Sequence, residues 1–365
     1  MKIGILTIND YNNYGNRLQN YALQEVLKNL GYSPLTIRNE VINDSRNILI
    51  KNLAYLKRTL GNTKKNILGK DKILTLRENN FLRFTEKYIN ETDFKLNSLK
   101  KVPIEMKYFD AFVIGSDQVW NYNFIRFSKY DFASFSENNQ LVLSYAASFG
   151  VNDLPDEKIA EYKIGLDNLN YISVRELNGK EIVERITKRK DIQIVLDPTF
   201  LLSEEDWLKI VDESDINIDK KYVITYFLGT PSSEEWGYIN KFGKKNNFMI
   251  INMNDISDPE LYIADPCDFL NLIKNSEAVF TDSFHACVFA MVFKKYFEVF
   301  SRRDNNLASM NSRIDSLLTT FDLKQQYFDG RKKDKKIEYE FIDNKLESLK
   351  ENSLDYLLKS LKGKR

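Results

Sequence analysis

Histidine and cysteine are nearly missing from these 365 residues: one histidine, His285, and two cysteines, Cys267 and Cys287. Two cysteines exclude a disulfide-stapled secreted scaffold and every multi-cysteine zinc site. A single histidine excludes His-pair metal centres and leaves His285 as the sole imidazole able to carry a proton in a reaction. Neither sign of charge is in excess. Lys and Arg number 53 against 52 Asp and Glu, so no pull towards nucleic acid is expected and no nucleic-acid partner. Long apolar runs are also lacking. The run Ile3–Ile8 is cut by Asn9-Asp10 before a signal-peptide core can form, and no stretch nears the ~18 to 20 apolar residues that span a bilayer. The expected location is the cytoplasm. No G-x-x-x-x-G-K-[ST] phosphate loop, no G-x-G-x-x-G after the first strand and no kinase, α/β-hydrolase or zinc signature occurs.

What is present is an ordinary globular balance, 43% hydrophobic and 29% charged, over a length that favours two domains. Short β-rich runs alternate with helical patterns, which predicts an α/β fold with mainly parallel sheets. Lys2–Ile8 reads as a buried strand and Gln19–Leu30 as a helix capped at Gly31. Ala111–Ile114, Leu141–Ala146, Tyr171–Val174 and Gln193–Leu196 continue the first series. Tyr222–Leu228, Phe248–Met253, Ala278–Thr281 and Tyr296–Phe300 form a second. Two doubly wound halves facing a cleft is the simplest assembly. The expected domains are residues 1–205, with a basic helical insertion at about 46–107, and 206–330. A closing helix in 331–365 is expected to cross back to the first domain. Arg46 to Lys70 carries seven basic and no acidic residues, with Leu49, Leu53, Leu56 and Leu60 at helical spacing. Such a helix suits an anionic membrane surface, or else packs on the domain with a solvated cationic face.

Polar residues follow several predicted strands: Ser116 and Asp117, Ser148, Arg175, and Asp197. In a parallel sheet these positions share one edge and converge on one cleft, although Asp and Ser there also cap helices. Arg175 is a poor cap and a good fork for a carboxylate or phosphate. In the stretch Val279–Ala290 a strand ends at Thr281, Asp282 or Ser283 caps a helix, and His285 falls in its first turn. A helix start binds anions readily. His285 there is either a proton carrier or a histidine packed between strand and helix. Downstream, Arg302, Arg303 and Arg313 on neighbouring segments suit a ligand bearing both carboxylate and phosphate. The amide-rich turn Asn12–Gln19 is suited to sugar hydroxyls or to turn formation alone. Both cysteines read as buried and inert.

These segments, taken in order, resemble the polysaccharide pyruvyl transferase family. The resemblance is carried by Asn13-Tyr14-Gly15-Asn16-Arg17-Leu18-Gln19-Asn20-Tyr21-Ala22-Leu23-Gln24 and Gly115-Ser116-Asp117-Gln118-Val119-Trp120-Asn121. Ser144–Gly150, Ile172-Ser173-Val174-Arg175-Glu176, Asp197-Pro198-Thr199, Thr281-Asp282-Ser283-Phe284-His285 and Asn311-Ser312-Arg313 follow. It implies two Rossmann-like domains in the glycosyltransferase-B arrangement, acceptor on the first and donor on the second. The implied activity is transfer of pyruvate from phosphoenolpyruvate to a sugar of a surface polysaccharide or its lipid-diphosphate-linked precursor, as a ketal, with no cofactor or metal. Carried onto this chain, His285 and Asp117 become the catalytic candidates. Arg175, Ser283, Arg302, Arg303 and Arg313 are the donor-binding candidates, and Asn13, Asn16, Gln19, Ser116 and Ser148 the acceptor-binding ones. Better-known members carry an Arg two residues before the motif histidine. Here that position is Ser283, and Arg302, Arg303 or Arg313 is expected to supply the charge. A nucleotide-sugar glycosyltransferase and a non-catalytic carbohydrate-binding protein are the alternatives.

Overall fold

The structure is a computed structural model that describes residues 1–39, 64–97, 100–302, 311–330 and 336–363, with the backbone alone for 64–68. The first sheet has five parallel strands: β1 (Lys2–Leu6), β2 (Ser33–Asn39), β3 (Glu91–Leu96), β4 (Ala111–Ile114) and β5 (Leu141–Ser144). Their order is β3-β2-β1-β4-β5, with a short parallel pair β6 (Ser173–Val174) and β7 (Gln193–Ile194) beyond. Bridges Leu143–Tyr171 and Ala147–Val174 join that pair to β5. Strands β1, β4 and β5 are apolar on both faces because helices cover both sides of a parallel sheet. The second sheet runs β11-β10-β8-β9, all parallel, from β8 (Tyr222–Tyr226), β9 (Met249–Asn252), β10 (Ala278–Thr281) and β11 (Tyr296–Val299). In each sheet the chain reverses its direction of winding beside a central strand, at β1/β4 and at β8/β10. The crevice outside those strand ends is where doubly wound folds place ligands.

The two halves share one apolar core. Helix α1 (Tyr14–Asn29) begins with Tyr14, whose buried ring stacks on Phe269 at 4.4 Å and meets Tyr226 edge-on. The Tyr14 hydroxyl donates to the Ala264 carbonyl at 2.8 Å. Helix α2 (Lys64–Tyr88) adds Arg77, buried among the rings of Tyr14, Phe81 and Tyr262, with Nη1 donating to the Tyr14 hydroxyl and the Tyr262 carbonyl. Full burial of one aromatic such as Phe269 is worth roughly 1.5–3 kcal/mol, so this seam holds the halves together. Helices α3 (Asp156–Asp167) and α4 (Leu177–Thr187) cover the first sheet. Helices α5 (Glu204–Val211), α6 (Ser233–Asn246), α7 (Pro259–Tyr262), α8 (Pro266–Asn275), α9 (Phe284–Val292) and α10 (Asn311–Thr320) surround the second. The closing helix α11 (Tyr339–Lys362) touches both halves. Its Tyr339 hydroxyl donates to the Ala290 and Lys295 carbonyls, and its Tyr356 hydroxyl donates to the Ser144 carbonyl at 2.8 Å. Ser353 Oγ accepts from the Leu196 N–H at 3.0 Å. Among the described residues no helix is long and apolar enough to cross a membrane.

Three expectations need correction. The stretch 46–107 is not a helical insertion throughout: after α2 the chain forms β3, the edge of the first sheet, and then a 3-10 turn at Ile104–Tyr108. A boundary at 205/206 would cut α5, which runs unbroken from a capping box built on Ser203 and Asp206. Strand β2 was not expected, because Pro34, Arg38 and Asn39 lower its β signal. Pro34 is accommodated because it lies at the start of the strand. The leucine stripe at Leu49–Leu60 lies outside the described residues.

Candidate active site

The strand ends of the first half and the start of α9 in the second converge on a buried charged cluster. Gly115 follows β4 at φ +121°, where a Cβ would stand 2.2 Å from the Tyr145 carbonyl oxygen, so only glycine lets the chain pass. Asp117 follows with φ 65°, and its carbonyl accepts the Ser148 N–H at 2.9 Å, fixing the β4 and β5 loops to each other. Arg175 leaves β6 with its Nη1 donating to Asp197 Oδ2 at 2.6 Å and its Nη2 3.5 Å from Asp117 Oδ1. The Arg175 guanidinium also lies 4.3 Å above the Phe284 ring, a contact from the first half to the second. Arg313, near the start of α10, brings Nη1 to 3.4 Å from Asp117 Oδ1. With the Gln118 amide turned to accept, its oxygen stands 2.9 and 3.1 Å from the two Arg313 Nη atoms.

Asp197 is the hub. Its Oδ1 caps the turn Pro198–Phe200 by accepting from the Thr199 N–H and Oγ1, and its Oδ2 accepts from Arg175 and from Ser116 Oγ at 3.2 Å. His285 Nε2 lies 3.7 Å from Asp197 Oδ2. That exceeds hydrogen-bond length, so the contact is one of charge when the ring is protonated. Across the ring, Gly15 in the first turn of α1 is so close that a Cβ would fall 2.1 Å from His285 Nδ1. His285 therefore sits at the N-terminus of one half's helix with its ring pressed on the N-terminus of the other's.

Burial alone would raise the Asp197 carboxyl, but His285 and Arg175 outweigh it and hold it well below its usual range. Asp117 shows the same balance, with burial opposed by Arg175, His285 and Arg313, and ends below its ordinary value. For Arg313, burial and the neighbouring Arg175 charge win over Asp117 and bring it down to about 10. Several polar atoms here make no hydrogen bond: Arg175 Nε and Nη2, Arg313 Nε, His285 Nε2 and Ser148 Oγ, although Arg175 Nη2 and Nε and His285 Nε2 each stand 3.5–3.7 Å from a carboxylate oxygen. A buried donor left unmade costs about 1–3 kcal/mol, so such a concentration marks a place built to hydrogen-bond something else. Beside the cluster, a cavity of about 750 Å³ opens between β7, α10 and α11, with Arg175, Asp197, Arg313 and Phe284 in its lining.

Of the candidates, Asp117, Arg175, His285 and Arg313 are brought together. Arg302 is buried nearby, but its Nε donates to Asp282 Oδ2 at 3.2 Å and its Nη2 to the Asp282 carbonyl. Asp282 also accepts the Leu228 and Gly229 N–H groups, both at 2.7 Å. Ser283 is the N-cap of α9, its Oγ facing the Ala286 N–H, so that side chain is spent on the helix. Arg303 lies outside the described residues. The acceptor set needs correcting. Asn13 caps α1; Asn16 Oδ1 accepts from the Asp10 N–H and Arg17 Nη2; Gln19 bridges Thr7, Asn16 and Ser116. Asn16, Gln19 and Ser116 are fully buried and hold the loops rather than face a cleft. Ser148 keeps its unpartnered hydroxyl. Gly15 and Phe284 were given no role from sequence, and Asp197 was noted only as one of the polar residues directly after a strand. Cys267 and Cys287 are buried, and burial pushes both thiols up, as an inert role requires. Among the described residues no group of three or more His, Cys, Asp or Glu stands together as metal ligands would.

The fold is shared with nucleotide-sugar enzymes of very low sequence identity. A Listeria monocytogenes protein assigned as a UDP-N-acetylglucosamine 2-epimerase superposes with a TM-score of 0.53 at 10% identity, over 98% of this chain and 90% of its own. The UDP-GlcNAc 2-epimerase of Methanocaldococcus jannaschii gives 0.51 at 12% identity, over 95% of this chain and 100% of its own. These likenesses establish the glycosyltransferase-B-like arrangement of two Rossmann-like domains and nothing of the chemistry. No curated protein matches the sequence significantly. The sequence profile of polysaccharide pyruvyl transferases matches residues 13–305, which takes in the second sheet, the first sheet apart from β1, and every member of the buried cluster except Arg313. This chain is a transferase belonging to the polysaccharide pyruvyl transferase family.

Proposed function

We propose that the enzyme moves the pyruvyl group of phosphoenolpyruvate onto two hydroxyls of a sugar, forming a cyclic ketal and releasing phosphate. The observation that supports this reading is the set of buried atoms on Arg175, Arg313 and His285 that make no hydrogen bond, in the cluster around Asp117 and Asp197. Two guanidinium forks and a helix N-terminus match a small molecule bearing both a carboxylate and a phosphate. A proton adds to the methylene carbon of the donor, C2 becomes oxocarbenium-like, and one sugar hydroxyl attacks it. The C2–O bond to phosphate then breaks and a second hydroxyl closes the ketal. The two hydroxyl protons balance the one taken up by the methyl group and the one carried off by phosphate. In this reading His285 delivers the first proton. Asp117, held below its ordinary value by Arg175, His285 and Arg313, is a weak base until an anion takes up those cations. Asp197 orients Arg175 and faces the His285 ring.

The acceptor is a saccharide of a surface polysaccharide or its lipid-diphosphate-linked precursor, handled at the cytoplasmic face of a membrane. What supports the membrane contact is the basic run Arg46–Lys70 in the sequence. The test is incubation of enzyme, phosphoenolpyruvate and unpyruvylated polysaccharide, followed by mass spectrometry of the sugar and a phosphate assay. Ketal-bearing product with equimolar phosphate supports the reading. Transfer from a nucleotide sugar instead, with no phosphoenolpyruvate consumed, overturns it.

A further inference from the structure

The loop after β8 carries an anion site that the chain fills with its own carboxylate. The successive N–H groups of Leu228 and Gly229 donate to Asp282, one to each carboxylate oxygen, both at 2.7 Å. Arg302 Nε adds a third donor to Oδ2 at 3.2 Å, and its Nη2 donates to the Asp282 carbonyl at 3.0 Å. Successive backbone N–H groups beside a guanidinium are a donor set suited to phosphates and other anions. Leu228 and Gly229 follow β8 and Asp282 follows β10, so the three meet at the switch point of the second sheet, where doubly wound folds seat their ligands. We infer that Asp282 is a specificity-determining residue: its charge occupies the phosphate position of the second half's crevice and keeps nucleoside diphosphates out. Which donor is taken instead rests on the pyruvyl-transfer reading above; which is refused does not.

The carboxylate is a fixture rather than a gate. The residues on both sides of it are pinned: Thr281 Oγ1 donates to the Tyr226 carbonyl and accepts the Ser283 N–H at 2.9 Å, and Ser283 Oγ caps α9. The side chains of Asp282 and Arg302 are 4% and 5% exposed, so withdrawing either would strand a buried charge. The loop itself is not enclosed. Leu228 is exposed and Gly229 half-buried, so solvent-borne phosphate would meet this loop if the carboxylate were absent.

Charge decides what the crevice refuses. A diphosphate arriving here meets a like charge and N–H groups already bonded, so it loses both attractions such a loop offers. A small donor held by Arg175 and Arg313 has no need of this loop, since those guanidinium groups belong to the cluster around Asp117 and Asp197. The choice between a nucleotide sugar and a small phosphorylated acid is thereby set by one residue, three positions before His285.

The experiment is calorimetric titration of the whole protein with UDP and, in parallel, with phosphoenolpyruvate. It is run on wild type, Asp282→Asn, Asp282→Ala and the double variant Asp282→Ala, Arg302→Ala. Removing the carboxylate should raise UDP affinity at least roughly tenfold over wild type, more with Ala than with Asn, and the double variant should lose the gain. Asp282→Ala leaves two N–H groups and a buried guanidinium without their acceptor, so its urea midpoint is also read in sodium phosphate against sodium chloride at equal ionic strength. Phosphate should raise that midpoint more in Asp282→Ala than in wild type, because an anion that refills the site binds only the folded chain. Wild type binding UDP as tightly as the variants overturns the assignment. So does a gain that survives Arg302→Ala, or an Asp282→Ala protein with neither UDP gain nor phosphate rescue. A UDP gain in the variants with no phosphoenolpyruvate binding to wild type leaves the role of Asp282 standing and removes the pyruvyl-transfer reading.

Discussion

Replacing Gly15 by Ala tests how His285 is held. A methyl group at that position would lie 2.1 Å from His285 Nδ1, 2.4 Å from Cγ and 2.8 Å from Cβ, all far inside van der Waals contact. The imidazole is 6% exposed and walled by Phe284 and Asp197, so it has nowhere to swing without moving α9 or α1. Overpacking of this kind costs about 1–3 kcal/mol. A ring displaced by about 1 Å from its productive place is expected to lower kcat by roughly 10²-fold. The folding cost needs no acceptor to measure: urea denaturation of wild type, Gly15→Ala, His285→Ala and the double variant forms a cycle. In the His285→Ala background the clashes with Nδ1 and Cγ are gone and only the 2.8 Å approach to Cβ remains, so Gly15→Ala should cost less there than in wild type, and the coupling should recover part of the single-variant loss. Additive effects would refute the contact, and a Gly15→Ala enzyme with wild-type kcat would refute the claim that the ring position matters.

Further outcomes follow from the same geometry. Arg175→Lys keeps the charge but loses the fork between Asp197 and Asp117, and should raise the phosphoenolpyruvate dissociation constant at least roughly tenfold in calorimetry; unchanged affinity would remove Arg175 from the donor site. Asp117 and Asp197 both have depressed carboxyls, so their contribution to stability is present above the unfolded value near pH ~4 and is lost as pH falls through the folded ones. The thermal midpoint should therefore hold steady from neutral pH to about 5 and drop below about 4, less steeply in Asp197→Asn; the same acid slope in both would contradict the assignment. Tyr356→Phe removes the hydrogen bond to the Ser144 carbonyl and should cost about 0.5–1.5 kcal/mol in urea denaturation, with no loss counting against the role of α11.

The sequence showed the skeleton of the site better than its wiring. Strand β1 and helix α1 were legible because Ile3, Ile5, Leu23 and Leu27 repeat with the periods their elements impose. Strand β3 was hidden, since Glu91-Thr92-Asp93-Phe94-Lys95-Leu96 is as polar as the basic stretch before it and becomes a strand only by pairing with β2. Placement after strands singled out Asp117, Arg175 and Asp197, which the fold brings together. The pairing of Asp117 with Arg313, 196 residues away, depends on how the halves meet, which no local pattern encodes. Amides at Asn16 and Gln19 looked like sugar ligands because composition does not say which way a side chain faces.

The tie between α11 and the first half has a consequence for how the chain matures on the ribosome. The N–H of Leu196 waits for Ser353, 157 residues later, and the carbonyl of Ser144 waits for Tyr356, 212 residues later. At synthesis speeds of about 5–20 residues per second, those groups spend on the order of 10–40 s without their final partners. During that interval the nascent first half presents an uncovered sheet flank to chaperones and proteases. Its survival then rests on how soon the last helix emerges.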